Sequence, residues 1–461
     1  MSHHATAGNP ADWNFETRQI HAGQQLDNTG ARALPIHQTT SFVFPDAATA
    51  AGRFALQELG PIYTRLTNPT VEAVENRVAS LEGGVAAVMV ASGQAASTYA
   101  ILNIAGSGDH VVASASLYGG TFNLLKHSLA KLGISTTFVT DPANPQAWRD
   151  AVEPNTKLFF AESIPNPRND VLDIQAVAEV AHAAEVPLIV DNTVATPYLV
   201  RPFEWCADVV VHSATKFLGG HGTSIGGFVV DSGNFDYTRY PQRFPEFVTP
   251  DPTYNNVVFG EVFGADGPFG ANVSYALKVR TQLLRDLGAS ISPFNAFLIE
   301  QGIETLSLRM KQHVANAQKV AEWLEAQPDV RSVTYAGLPS SPSYATAQRY
   351  APLGPGSIVG FELDGGAAAG QAFVDALVLH SNVANIGDVR SLVIHPASTT
   401  HAQLSPAEQA DAGVQPGFVR LSVGLEHIDD ILADLQLGFT AAGSVEHAMA
   451  TDDDAPGGGA A

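Results

Sequence analysis

Between about Asn68 and Val230 the chain alternates two patterns: stretches whose apolar residues recur every three to four positions, and short, wholly apolar runs that stop at polar or glycine-rich turns. Val71 to Leu81 has helical spacing and is closed by Gly83 and Gly84. Val85 to Val90 reads as a buried strand, and Ser92-Gly93-Gln94 opens the next helix, Ala95 to Ile104. Further short runs at His110 to Ala113, Thr136 to Val139, Leu158 to Ala161, Leu188 to Val190 and Val209 to Val211 predict more strands, several separated by helical stretches. This alternation predicts an α/β domain with a mostly parallel sheet flanked by helices. Ligands bind such sheets at the carboxyl ends of the strands. Ser92, Asp191 and Ser213 stand just after three of the apolar runs.

From Asn272 the pattern changes to long amphipathic helices, Tyr275 to Leu287 and Thr305 to Gln327. The second leads into a smaller C-terminal α+β domain, with strands such as Ile358 to Leu363 and Phe418 to Val423 and helices such as Gly370 to Leu379 and Ile428 to Ala441. The expected division is therefore an N-terminal arm over 1–67, a large α/β domain over 68–304, a smaller domain over 305–445 and a tail over 446–461. The end of that tail is too polar and glycine-rich to pack. No internal repeat is present.

Composition narrows the function. The chain has 461 residues, 45% hydrophobic and 15% charged, as expected of a globular protein with a large core. Its 24 basic and 46 acidic residues leave a net charge of -22, which opposes binding to nucleic-acid backbones and anionic membranes. One cysteine, Cys206, excludes an intramolecular disulfide and a cysteine-based metal cluster. There is no basic and apolar leader and no apolar run of roughly 20 residues, so a soluble, cytoplasmic protein is expected.

The chemistry concentrates in Val-His-Ser213-Ala-Thr215-Lys216-Phe-Leu-Gly-Gly-His-Gly. A lysine on a turn after a buried strand is held in place and shielded, as an amine that condenses with an aldehyde must be. Ser213 and Thr215 offer hydroxyls to a phosphate, and the glycines from Gly219 onward let backbone approach a flat ring. Together these point to pyridoxal phosphate. Asp191, which ends Pro-Leu-Ile-Val, suits the pyridine nitrogen of such a cofactor, although an aspartate there equally caps a turn. The 25 residues from Asp191 to Lys216 leave room for one helix or loop and one strand, bringing both to the same sheet edge. Ser92-Gly93-Gln94 at a helix N-terminus adds free N–H groups to a phosphate cup, and serine is also the ordinary N-cap. No Gly-x-x-x-x-Gly-Lys-Ser/Thr loop occurs, and Ile225 breaks Gly-x-Gly-x-x-Gly after Gly220 and Gly222. Neither His395 nor His401 has metal-ligand spacing, so no metal is expected.

Ser-Ala-Thr-Lys216-Phe, Asp191 at a strand end, Tyr63-x-Arg65 followed by Asn68-Pro69-Thr70, and Leu117-Tyr118-Gly119-Gly120-Thr121 resemble the Cys/Met-metabolism enzymes that depend on pyridoxal phosphate. The resemblance runs from Phe15 to about Ala441 and implies the PLP-dependent transferase fold of type I. It implies that Lys216 carries the cofactor as a Schiff base and later moves protons, that Asp191 binds the ring nitrogen, and that Tyr118 stacks on the ring and serves as acid or base. Ser92, Gly93, Gln94, Ser213 and Thr215 would hold the phosphate. Tyr63 and Arg65 would reach from the arm into a neighbouring subunit's site, in a homotetramer with sites shared across a dimer interface. Arg420 would take the substrate carboxylate, helped by Ser391 and Asn166; a surface ion pair is the competing role for that arginine. Gln94 departs from the methionine frequent at its position.

Within the family, several segments look like the O-acetylhomoserine sulfhydrylase branch: Glu16-Thr17-Arg18, Ile20 to Gly23, the insertion Phe247 to Tyr254, Leu283 to Gly288, Asn385 to Asp388 and Ile394 to His401. Gly120 stands where methionine γ-lyases usually carry a cysteine. The implied reaction is γ-replacement of acetate by sulfide. A cystathionine γ-synthase, an O-succinylhomoserine sulfhydrylase and a non-catalytic cofactor-binding regulator are the alternatives.

Overall fold

The structure, a computed structural model, describes residues 12–25, 29–58, 60–400, 402 and 413–453. His401 and residues 454–461 lie outside the described residues. The chain forms two compact units, Met1–Ser163 with Leu172–Ser307, and Ile164–Val171 with Leu308–Ala461. The short segment 164–171, which carries Asn166, thus groups with the second unit.

The first unit is built on a seven-stranded sheet. Its strands are β1 (Ala86–Val90), β2 (His110–Ser114), β3 (Ser135–Val139), β4 (Thr156–Glu162), β5 (Leu188–Asp191), β6 (Val209–Ser213) and β7 (Gly227–Asp231), in the order β1-β7-β6-β5-β4-β2-β3. Every pairing is parallel except the two made by β7. β7 is the strand that the apolar runs did not reveal, because it follows directly on a glycine-rich segment. Strands covered on both faces read as continuous apolar runs, and β2 and β7 are buried at every position. The helix before β1 spans Pro69–Glu82. Asn68 caps it by accepting the Thr70 N–H at 3.0 Å, proline fills the first helical position, and Gly83 ends it in the left-handed region at φ 83°. The helix Phe15–His21 is tied to it through Arg18, whose guanidinium donates to the Ser80 carbonyl at 2.6 Å. The predicted helix Tyr275 to Leu287 is one helical run whose middle, Val279–Leu284, widens to π-type hydrogen bonding.

The second unit has a five-stranded sheet: β8 (Val330–Thr334), β9 (Ile358–Leu363), β10 (Ser381–Asn382), β11 (Leu392–Ile394) and β12 (Phe418–Ser422), in the order β10-β11-β12-β9-β8. Its core includes Val359, Phe361, Phe373, Leu421, Ile431, Leu435 and Phe439. Phe373 sits edge-on to both Phe361 and Phe439, with ring centroids 5.2 and 5.1 Å apart. The last helix runs Ile428–Asp453, beyond the expected end at Ala441 and into the expected tail, because the residues that follow include good helix formers and the next proline is Pro456. Among the described residues no helix is long and apolar enough to cross a membrane.

His313, on the helix Leu306–Glu325, is fully buried, with its Nδ1 2.7 Å from the Val423 carbonyl oxygen. Burial pushes its imidazole down to about 4. Below the ordinary histidine value of about 6.5 the unfolded chain binds a proton that the folded chain refuses, so stability is lost as pH falls toward 4. Between pH 7 and pH 5 this site should cost about 2 kcal/mol. Thermal melts across that range should fall more steeply for the wild-type chain than for His313→Gln; parallel curves would refute the assignment.

Candidate active site

The carboxyl edge of the first sheet gathers the predicted residues because three neighbouring elements end there. Asp191 closes β5, and Asp191-Asn192-Thr193 forms a tight side-chain turn. The Asp191 Oδ1 accepts the Thr193 N–H at 2.9 Å and the Thr193 hydroxyl at 2.5 Å. The same Thr193 oxygen accepts the Ser213 N–H at 2.8 Å, so one hydroxyl locks the ends of β5 and β6 together. Burial pushes the Asp191 carboxyl above the usual carboxylate range, opposed by the two Thr193 bonds and by His212 nearby.

The predicted phosphate cup forms where the helix Gly93–Leu102 meets β6. Ser92 caps the helix by accepting the Ala95 N–H at 3.1 Å. A side chain at Gly93 would lie 2.6 Å from the Ser213 Cβ and 2.9 Å from its Oγ, so only glycine lets this helix start against the Ser213 hydroxyl. Gly227 opens β7 under the same turn, and a Cβ there would fall 2.2 Å from the Ser92 carbonyl oxygen. The Thr215 hydroxyl bridges Gly226, accepting its N–H at 3.2 Å and donating to its carbonyl at 3.3 Å. Thr215 therefore braces the glycine segment behind the cup.

Lys216 follows on the turn out of β6, half-buried. Its N–H donates to the Ser213 carbonyl at 3.2 Å, and its carbonyl accepts the Gly220 N–H at 2.8 Å. Tyr118 is 53% exposed, an open aromatic face, but its backbone is fixed: its N–H donates to the Glu162 Oε1 at 2.5 Å. A Cβ at Gly120 would lie 2.5 Å from the Tyr118 ring and 2.4 Å from the Gln94 amide nitrogen. The ring and this amide thus share the space that a glycine leaves.

Tyr63 and Arg65 stack on each other, the guanidinium 5.3 Å from the ring centroid, on an exposed stretch of the arm. Among the described residues neither makes a hydrogen bond, ion pair or ring contact with Asp191, Tyr118 or Lys216. In the second unit Arg420 is buried in β12. It donates to the Asn385 carbonyl at 2.9 Å and, at 3.4 Å, to the Asn166 Oδ1. Ser391 is fully buried. Its hydroxyl donates to Glu426 and accepts the Gly424 N–H, each at 2.9 Å, which commits it to holding that loop.

Sequence reasoning missed Glu162, Thr193 and His212 in these contacts, and also Glu82, whose Oε1 lies 2.5 Å from His212 Nε2. Glu162 and Thr193 carried a readable signal, an acidic residue ending an apolar run and a threonine two after a strand-end aspartate. Glu82 and His212 did not, since only the packing of a helix on the sheet brings them together.

The sequence pattern of the family described as Cys/Met metabolism PLP-dependent enzyme matches residues 16–440. The chain is 56% identical to an O-acetyl-L-homoserine sulfhydrylase of Corynebacterium glutamicum, over 94% of this chain and 98% of the relative. It is 54% identical to an O-acetyl-L-homoserine sulfhydrylase of Leptospira meyeri, over 93% and 97%. Among solved structures it is similar to an O-acetylhomoserine (thiol)-lyase of Campylobacter jejuni that holds a pyridoxyl-lysine phosphate. That similarity has a TM-score of 0.89 and 38% identity and covers 93% of this chain and all of the other.

Gly93→Ala places a methyl group against Ser213 and should weaken retention of pyridoxal phosphate about tenfold or more, with the far-UV circular dichroism unchanged. Dialysis followed by cofactor titration measures it; wild-type retention would show that the cup is elsewhere.

Proposed function

The chain belongs to the Cys/Met metabolism PLP-dependent enzymes, and from that premise we propose that it catalyses γ-replacement on O-acetyl-L-homoserine, with sulfide as donor and L-homocysteine and acetate as products. The observation that carries this reading is the near full-length identity of 56% and 54% to two O-acetyl-L-homoserine sulfhydrylases. The strand-end residues suit the cofactor chemically: a cup that tolerates no side chain at Gly93, a carboxylate at Asp191 and an amine at Lys216.

Bound pyridoxal phosphate supplies an electron sink that acidifies the substrate protons next to its point of attachment. The chain's own groups do the rest. Lys216 Nζ would anchor the cofactor and, once released by substrate, would relay protons one at a time, taking the first from Cα and handing it on before it takes the second from Cβ, so that acetate can leave from Cγ. Sulfide forms the new bond at Cγ, and Lys216, assisted by the Tyr118 phenol, returns the protons. Asp191 would pair with the ring nitrogen, and Ser92, Gly93, Gln94 and Ser213 would hold the phosphate, with Thr215 joining them only by giving up its 3.3 Å bond to the Gly226 carbonyl. Arg420 takes the substrate carboxylate as a planar, two-pronged donor, alongside Asn166, while Ser391 positions the loop it braces. Water is best excluded if Tyr63 and Arg65 close a partner's site across a dimer interface within a cytoplasmic homotetramer. The arm's exposed apolar residues, Val43 at 95% and Phe54 at 56%, support such an interface.

Purified holoenzyme given O-acetyl- or O-succinyl-homoserine with sulfide or cysteine should make homocysteine fastest from the acetyl ester and sulfide. Cystathionine as the dominant product would overturn the assignment. Lys216→Ala should lose at least about 10³-fold in turnover together with the visible absorbance of lysine-bound cofactor. Turnover that survives the change would refute the role of Lys216.

A further inference from the structure

Glu82 ends the helix Pro69–Glu82, and its carboxylate is fully buried against the sheet. Its Oε1 lies 2.5 Å from His212 Nε2 and accepts the Asn192 amide at 3.0 Å. Asn192 also donates to the Val200 carbonyl at 2.8 Å and accepts the Ser163 hydroxyl at 2.8 Å, so the group is fixed from four directions. Adjacent residues along an extended chain point to opposite faces. Asn192 and His212 take the face bearing Glu82, each one residue away from Asp191 or Ser213. Val211, the neighbour of His212, is paired with Asp191 across β5 and β6. No hydrogen bond joins His212 to Asp191; the imidazole acts on that carboxylate through space, opposing the effect of its burial.

A tie between a helix and a sheet does not need charge. Buried ion pairs lose most of their attraction to desolvation, and apolar residues would make the same join as well or better. This one also leaves His212 Nδ1 and Glu82 Oε2 buried without a hydrogen-bond partner, a cost that a purely structural network avoids. The arrangement makes electrostatic sense as a charge ladder. Two carboxylates flank one imidazole, the buried Glu82 in direct contact with it and the half-buried Asp191 across one strand pairing.

We propose that Glu82 and His212 are positioning residues for the cofactor: Glu82 fixes the His212 imidazole behind the strand-end turn, and the pair holds Asp191 in the place and the charged form that the ring nitrogen needs. The proposal rests on the reading of Asp191 as the ring-nitrogen partner.

The test uses holoenzyme of Glu82→Gln, which keeps shape and removes charge, and of His212→Gln. Cofactor retention and the pH midpoint of the visible absorbance of lysine-bound cofactor are read for each. Both variants should hold the cofactor about tenfold more weakly and shift the midpoint, and Glu82→Asp, which restores the charge, should return it toward wild type. In an Asp191→Asn background, His212→Gln should add no further effect on either readout. Wild-type retention and midpoint in both single variants, with only a lower melting temperature, would reduce the pair to a structural tie and overturn the proposal. Should His212→Gln not fold, Glu82→Gln carries the test alone. Full cofactor retention by Asp191→Asn would instead overturn the reading of Asp191.

Discussion

A half-buried carboxylate at the edge of a sheet, held by a threonine rather than by an arginine or lysine among the described residues, is the constraint around which the first unit is arranged. Desolvation pushes the Asp191 carboxyl up, away from the charged form that attracts a cation. The fold answers with hydrogen-bond donors and a neighbouring imidazole. Thr193 donates twice to Asp191, and its own oxygen is oriented by the Ser213 N–H. His212 adds its field from the neighbouring strand. Because Thr193 bonds to both strand ends, the geometry of the acid and the geometry of the turn carrying Lys216 are set by one side chain. Any shift of β6 against β5 would disturb both.

Close approach is the second constraint, and it follows from β7. By inserting antiparallel between β1 and β6, this strand brings Gly227 beneath Ser92 and leaves β1 one strand away from β6. The helix after β1 can then rest on Ser213 only if its first residue is glycine. Backbone N–H groups and a hydroxyl thereby converge from elements separated by more than a hundred residues. The same logic operates at Gly120, where the missing side chain admits both the Tyr118 ring and the Gln94 amide.

The inner parallel strands of the first unit, β2, β4, β5 and β6, were legible because both faces of the sheet are covered there, which makes each a largely apolar run bounded by turns. β7 escaped because it is joined to a glycine-rich segment with no helix between. β8 escaped for the opposite reason: it is a partly exposed edge strand, Val-Arg-Ser-Val-Thr, whose burial pattern carries no apolar run. β10 and β11, at two and three residues, are too short to leave a period. Among site residues, those with functional atoms at strand ends were readable from position alone. Glu82 and His212 were not, since a glutamate at a helix end and a histidine in a strand have ordinary local explanations. Their meaning lies in a contact between residues 130 apart.

Tyr118 shows how far a site can be prepared without being closed. Its backbone is held by Glu162 and its ring is confined by Gly120 and Gln94, yet the face it presents is open to water. A residue asked to move protons works best where water is excluded and its orientation is fixed. Here the orientation is built into the subunit and the exclusion is not. The arm is the segment of this chain that offers a remedy, with its bare apolar side chains and its stacked Tyr63–Arg65 pair, a flat cationic surface suited to anions. If that pair caps the site of another copy, proton transfer becomes a property of the assembly.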